Sequence, residues 1–486
     1  MMEKQDKVYF EVVLRSESGQ SIFSPEASVT ADNLDQFAPA AGNATRTATL
    51  LQSLGFTVRN IGAFSISAEG PKELWEKVFG TKVEEKSQPV SEALPQLGEI
   101  HYLFHIAGVP FAVPKELERL LERAYPQRPP ILFESPLPPR VKYHHLRVPN
   151  DVATVLRSYF VHKQGVTGKG VLVAMPDTGF YKHSFYAWHG YNYNRTLSPD
   201  AKFIEKDEVG HGTAEAANIF ASAPDIDFVG VKMGFNPTLG LKTASDLFPQ
   251  VMTNSWGYSL CGLSKLPNYL KSLELAVLEA VHKRGITVCF SAGNGHMGFP
   301  AQMPSVIAVG GVYAHENLAG DDFKLEASDY ASSFDSVIYP GRHVPDVCGL
   351  VGMQPRAIYI MLPVEPGDQI DAGLAGSPYP NKDETTANDG WAVISGTSAS
   401  SPQVAGICAL LKQVQPGLSP SLIKAILRAS ARDVKDGNSN KVCGKSQPAG
   451  DGHDGATGAG LVDAKVAYEL ARSVTPRHLL MVPSPL

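Results

Sequence analysis

Between Gly170 and Val312 the chain repeats one pattern: a short, almost uninterrupted apolar run, then a segment with helical spacing. The runs are GVLVAM, DFVGVKM, VMTNSW, ITVCFSAG and SVIAVGGV, and YLKSLELAVLEAVHKRG is the clearest of the helical segments. A strand with one wet face alternates apolar and polar residues, whereas these runs leave little polar surface to turn toward water. They predict a mostly parallel sheet covered by helices on both faces, an α/β fold.

In an open α/β sheet, reactive side chains gather at the carboxyl ends of the strands. Four residues stand out there: Asp177 after GVLVAMP, His211 after DEVG, Asn294 after ITVCFSAG, and Ser398 after WAVISGT. A serine hydroxyl is a weak nucleophile until an imidazole takes its proton, and the imidazole needs a carboxylate to hold its tautomer and stabilise its cation. Ser398, His211 and Asp177 are expected in those roles. The Asn294 amide and the Ser398 backbone N–H are the expected donors to an oxyanion. SGTSASSP, Ser395 to Pro402, precedes the apolar run Val404 to Leu411. Ser398 is therefore expected where a buried helix begins, with free N–H groups facing developing negative charge.

GKGVLVAMPDTG, GHGT, SAGN and SGTSASSPQVAG resemble, in order, the motifs of the subtilisin-like serine protease (subtilase) family. APDIDFVGVKM, FPAQMPSVIAVGGV, VPDV and GAGLVDA extend the resemblance from about Arg147 to Val474. It implies a subtilisin-like three-layer fold and a serine endopeptidase that works through an acyl-enzyme on Ser398. Ser395, Ser400 and Ser401 are set aside by motif position alone. The resemblance also implies that TNSWG is the edge on which a peptide substrate pairs as an added strand, Ser255 and Gly257 offering backbone groups and Trp256 walling a subsite. A catalytically silent binding module on the same fold, and a dedicated processing protease for one partner protein, are the alternatives.

Two residues depart from the family pattern. Pro176 stands before Asp177 in place of an aliphatic residue and removes one ladder donor. Glu215, one helical turn beyond His211, stands where the family usually continues with Val-Ala-Gly, and its charge is expected to raise the His211 pKa. ASAPDIDF follows the histidine segment so closely that the family's usual calcium loop has no room. No cofactor is expected to be required, and structural calcium elsewhere has no support in the sequence. His144 with His145, and His183 with His189, lack partners at metal-ligand spacing.

Upstream, the order is strand (Lys7 to Leu14), helix (Thr45 to Leu54), two strands with Phe64, Ile66 and Ala68 on one face, helix (Pro71 to Phe79), then strand. That is the ferredoxin-like α+β pattern. It resembles the propeptides of subtilases and sedolisins, which implies an intramolecular inhibitor and a zymogen. PQRPPILFESPLPP, with six prolines, reads as a linker. The expected division is 1–125 propeptide-like, 126–146 linker, 147–474 catalytic and 475–486 tail, with cleavage between Tyr125 and Arg147. The stretch 364–389 reads as an irregular surface insertion.

The charge of −6 and the lack of a basic stripe argue against a nucleic-acid partner and leave a peptide or protein as the expected one. The N-terminal stretch MMEKQDKVYFEVVLRSESG fails as a signal peptide, and nothing is apolar enough to cross a membrane. The five cysteines show no CxxC pair, so reduced, buried thiols and a cytoplasmic location are expected.

Overall fold

The computed structural model describes residues 6–25, 27, 33–89, 99–106, 111–129, 138–316, 324–355 and 358–474. The chain forms two compact units, Met1–Glu134 and Ser135–Leu486. Most of the proline-rich segment (130–137) and the tail 475–486 lie outside the described residues.

The first unit runs β1 (Lys7–Leu14), α1 (Asn43–Ser53), β2 (Thr57–Ile61), β3 (Ser65–Pro71), α2 (Lys72–Phe79), β4 (Val83–Pro89), β5 (Glu99–His105) and β6 (Leu121–Pro126). The sheet order is β2-β3-β1-β6, antiparallel throughout. That is the ferredoxin-like arrangement, with the β4–β5 hairpin inserted before the last strand. Alternate residues of β1, namely Val8, Phe10, Val12 and Leu14, are buried against Leu51 of α1 and Trp75 and Phe79 of α2. Phe10 touches Trp75 and Phe79 with ring centroids 4.9 and 5.8 Å apart, so the two aromatic residues spaced four apart in α2 face the sheet together.

The second unit is built on β7 (Leu172–Asp177), β8 (Tyr193–Leu197), α3 (His211–Ser222), β9 (Asp227–Lys232), β10 (Val251–Asn254), β11 (Tyr258–Ser259), β12 (Thr287–Ser291), β13 (Gly298–Phe299), β14 (Ile307–Ala314), β15 (Leu325–Ala327), β16 (Val347–Leu350), α4 (Gln369–Leu374), α5 (Thr397–Val414) and β17 (Asp436–Gly437). Its nine-stranded sheet has the order β17-β15-β14-β12-β10-β7-β9-β8, with β16 also paired to β14. Every pairing is parallel except β14 with β15.

Both sheet faces are buried, as the uninterrupted apolar runs require. Val173 and Met175 of β7 enter one core, and Ala174 between them enters the other. The first core also holds α3 and α5, which pack on each other with almost no exposed side chains. The chain passes from β7 to β8 and β9 on one side, then to β10, β12 and β14 on the other. The order thus reverses at β7, the kind of switch point beside which α/β sheets place their sites.

Two expectations are corrected here. Cys261 and Cys443 form a disulfide, so they are not reduced thiols; both sit on the surface, where no apolar segment marks them. Cys289, Cys348 and Cys408 are free and buried as expected. The stretch 364–389 is not mere surface loop: it contains α4 and buries Glu365, Asp368, Asp371 and Asp383. Their oxygens cap backbone N–H groups of the same region and of the segment preceding His211, which composition alone does not reveal.

Candidate active site

Asp177 ends β7 and is almost fully buried. Its Oδ1 lies 2.8 Å from His211 Nδ1 and accepts the Thr178 N–H at 2.7 Å. The ring nitrogen is placed to donate to the carboxylate, which leaves Nε2 for another partner. His211 is the first residue of α3, after Gly210 in the left-handed region at φ 89°.

A buried acid, Asp207, locks this corner. Its Oδ1 accepts from Thr178 Oγ1 (2.8 Å) and the Gly210 N–H (3.1 Å), and its Oδ2 from the Thr213 N–H (2.8 Å) and Thr213 Oγ1 (2.6 Å). One carboxylate thereby ties the turn after Asp177 to the start of α3. Sequence reasoning missed Asp207, because it stands three residues before the N-cap Gly210 and so outside the position a capping acid takes.

Burial opposes a charge on His211, yet the adjacent Asp177 carboxylate, with Glu215 and Asp207 behind it, pushes the imidazole pKa up to about 10. Glu215 Oε1 is 4.0 Å from His211 Nε2, on the same helix face as the spacing demanded. Burial raises the Glu215 carboxyl to about 7 against the pull of the imidazolium.

Ser398 sits in the first turn of α5, half-buried. Its hydroxyl donates to the Ser255 carbonyl at 3.2 Å, not to His211. In exchange, Ser255 Oγ donates to the Ser398 carbonyl at 2.8 Å. The second bond has a covalent cause. In a regular helix the Ser398 carbonyl would accept from residue 402, but Pro402 has no N–H, and the Ser255 hydroxyl takes its place.

Asn294 follows β12 and is exposed, and its Oδ1 accepts both the N–H (3.0 Å) and the Oγ1–H (3.2 Å) of Thr397. Among the described residues, the side-chain NH2 is therefore the end without a hydrogen-bond partner. Gly257 packs its backbone against the Phe299 carbonyl of β13, and the next residue, Tyr258, pairs with Phe299. Trp256 is half-buried, edge-on to Phe290 at 5.6 Å, with its indole N–H on the Pro176 carbonyl. His183, set aside as a metal ligand, caps a short helix through Phe185 N–H and packs on Trp391. Among the described residues no group of three His, Cys, Asp or Glu is arranged to hold a metal ion, and no helix is long and apolar enough to cross a membrane.

Asp177 and His211 are thus hydrogen-bonded, Ser398 and Asn294 share the start of α5 through Thr397, and Ser255 joins the edge segment to that helix. A hydrogen-bonded acid and base, with a hydroxyl and an amide donor held at one helix start, have the composition acyl transfer needs.

The model of the subtilase family matches residues 168–446. Serine protease AprX of Bacillus subtilis (strain 168) is 27% identical over 312 residues, covering 57% of this chain and 64% of that one. Alkaline elastase YaB of Bacillus sp. (strain YaB) is 27% identical over 321 residues, covering 63% and 66%. The chain therefore spans just under two-thirds of the length of these relatives. Among solved structures, Pseudomonas sedolisin, a serine-carboxyl proteinase, superposes with a TM-score of 0.51 at 18% identity, over 69% of this chain and 99% of that one, a likeness of fold. With its sheet order, the residues at its strand ends and a family match over more than half its length, the chain belongs to the subtilase family.

Proposed function

We propose that this chain is a serine endopeptidase that hydrolyses peptide bonds through an acyl-enzyme on Ser398. The observation that carries the reading is the 2.8 Å hydrogen bond between Asp177 and His211 Nδ1, which leaves Nε2 to accept a proton. His211 takes the Ser398 proton as the hydroxyl attacks the scissile carbonyl, then returns it to the leaving amine. Asp177 holds the tautomer and stabilises the imidazolium. The Asn294 amide, its carbonyl end occupied by Thr397, and the Ser398 N–H stabilise the tetrahedral oxyanion. A peptide strand pairs along Ser255–Gly257, and its N–H competes for the Ser255 carbonyl that the Ser398 hydroxyl occupies at rest. Substrate entry then releases the hydroxyl, which turns about Cα–Cβ to reach His211.

The ferredoxin-like unit acts as an intramolecular inhibitor, removed in the segment between Tyr125 and Arg147. The cytoplasmic location expected from sequence has the Cys261–Cys443 disulfide against it, because cytosolic thiols are kept reduced; an oxidising compartment fits better.

A second reading, a silent binding module on the same fold, is favoured by one observation: the resting Ser398 hydroxyl is spent on Ser255. A fluorophosphonate probe decides. Labelling of the full chain, or of the chain after limited proteolysis, that vanishes in Ser398→Ala supports the protease. Absence of labelling in both forms supports the binding module. Intact mass before and after activation locates the cleavage.

A further inference from the structure

We propose that Ser332 is a positioning residue for the oxyanion donor Asn294. The inference rests on the protease reading above and adds a residue outside its motifs. Asn294 lies between Gly293 at φ 110° and Gly295 at φ 90°, two left-handed positions that glycine adopts freely and that, by themselves, restrain the backbone little. Asn294 is also exposed, so packing does not hold it. Its position depends on hydrogen bonds to the loop.

Ser332 makes those bonds on both sides. Its N–H donates to the Gly293 carbonyl at 2.8 Å, before Asn294. Its Oγ accepts the Gly295 and His296 N–H groups, each at 2.9 Å, after Asn294. Ser332 is 1% exposed, so these bonds are shielded from water. Thr397 works from the opposite side: its Oγ1 accepts the Gly293 N–H at 3.1 Å while it and the Thr397 N–H hold Asn294 Oδ1. Thr397 sets which end of the amide is left to donate, and Ser332 sets where the amide stands.

The brace is anchored in turn. Asn440 donates its N–H to the Ala331 carbonyl at 2.9 Å and its Nδ2–H to the Tyr330 carbonyl at 3.1 Å. An oxyanion donor is effective only when held in place before charge develops, so slack in this loop weakens the transition state more than substrate binding. Ser332 reaches the reacting atoms only through Asn294.

The test uses the full, activated chain and a peptide amide substrate, with rates expressed per site titrated by a fluorophosphonate, so that misfolded protein is not counted. Ser332→Ala is expected to lower kcat about tenfold with KM within about twofold, and to lower it less than about twofold further in an Asn294→Ala background. Ser332→Thr, which keeps the acceptor oxygen, is expected to retain kcat. Wild-type kcat per titrated site in Ser332→Ala overturns the inference, as does the same loss in the Asn294→Ala background, which would mark a structural role independent of the oxyanion donor. A wild-type chain that never reacts with the probe overturns the protease reading instead.

Discussion

Trp256 donates its indole N–H to the Pro176 carbonyl at 2.9 Å, joining the segment after β10 to the residue just before Asp177. Pro176 pairs in register with Val231 and Asp177 with Lys232, but proline contributes no ladder donor, so the strand end has one tie fewer than a regular strand. Trp256 supplies a tie from the other side.

Trp256→Phe keeps an aromatic ring at this position but removes the N–H together with part of the ring system packed on Phe290. It is expected to cost about 1 kcal/mol of stability and to lower kcat across all peptide substrates alike. Thermal melts and a panel of peptides differing in the residue before the cut measure this. A change in preference with unchanged kcat would instead identify Trp256 as a subsite wall.

The environment of His211 predicts the pH profile. Burial favours the neutral ring, but Asp177, Glu215 and Asp207 outweigh it and bring the pKa to about 10. The general base must be neutral, so kcat/KM rises with pH through the alkaline range. Glu215→Gln removes a charge that favours imidazolium and moves the acid limb to lower pH by roughly one unit. A limb that stays in place refutes the role of Glu215. Because the folded value exceeds the ordinary 6.5, the charged ring stabilises the fold fully below pH 6.5 and that contribution fades as pH rises toward 10.

Asp368 predicts a second pH effect. Burial, opposed by the Asp371 N–H and reinforced by the nearby Asp207 charge, raises its pKa from 3.8 to about 7, and among the described residues its Oδ2 has no hydrogen-bond partner. The folded state binds the proton more tightly, so stability falls as pH rises from 3.8 to about 7. Asp368→Asn keeps the cap on Asp371 and removes the charge. It is expected to raise Tm by roughly 2–4 °C at pH 8 and to leave it unchanged at pH 4. Equal melts at both pH values would contradict this.

Gly210 lies beneath the same carboxylate: a Cβ there would collide with Asp368 Oδ2, and φ 89° is itself unfavourable for alanine. Gly210→Ala is expected to destabilise by about 1–3 kcal/mol and to displace His211, lowering kcat. Urea denaturation and active-site titration check both parts.

The Cys261–Cys443 disulfide closes a loop of 182 residues. Its loss in Cys443→Ser is expected to cost about 2–5 kcal/mol. Alkylation of the denatured, unreduced protein is expected to modify three of the five cysteines. Modification of all five would disprove the bridge.

Local pattern was enough for the elements and for placing Asp177, Asn294 and Ser398 after apolar strands. The apolar runs fit strands buried on both faces, and parallel strands point their carboxyl ends one way, so residues that follow such ends lie on one side of the sheet. The Trp75–Phe79 face of the first unit was legible for the same reason, because helical periodicity is written in adjacent residues. Tertiary structure alone decided the remainder: the Ser332 brace on Asn294, the four bonds of Asp207, the Trp256–Pro176 tie, the buried acids around Asp368, and the union of two exposed cysteines. Most of these include a tie between residues distant in sequence, and many run through backbone N–H and C=O groups. Those groups are the same in almost every residue, so no side-chain pattern distinguishes the ones that will be met until the sheet and its helices have brought them together.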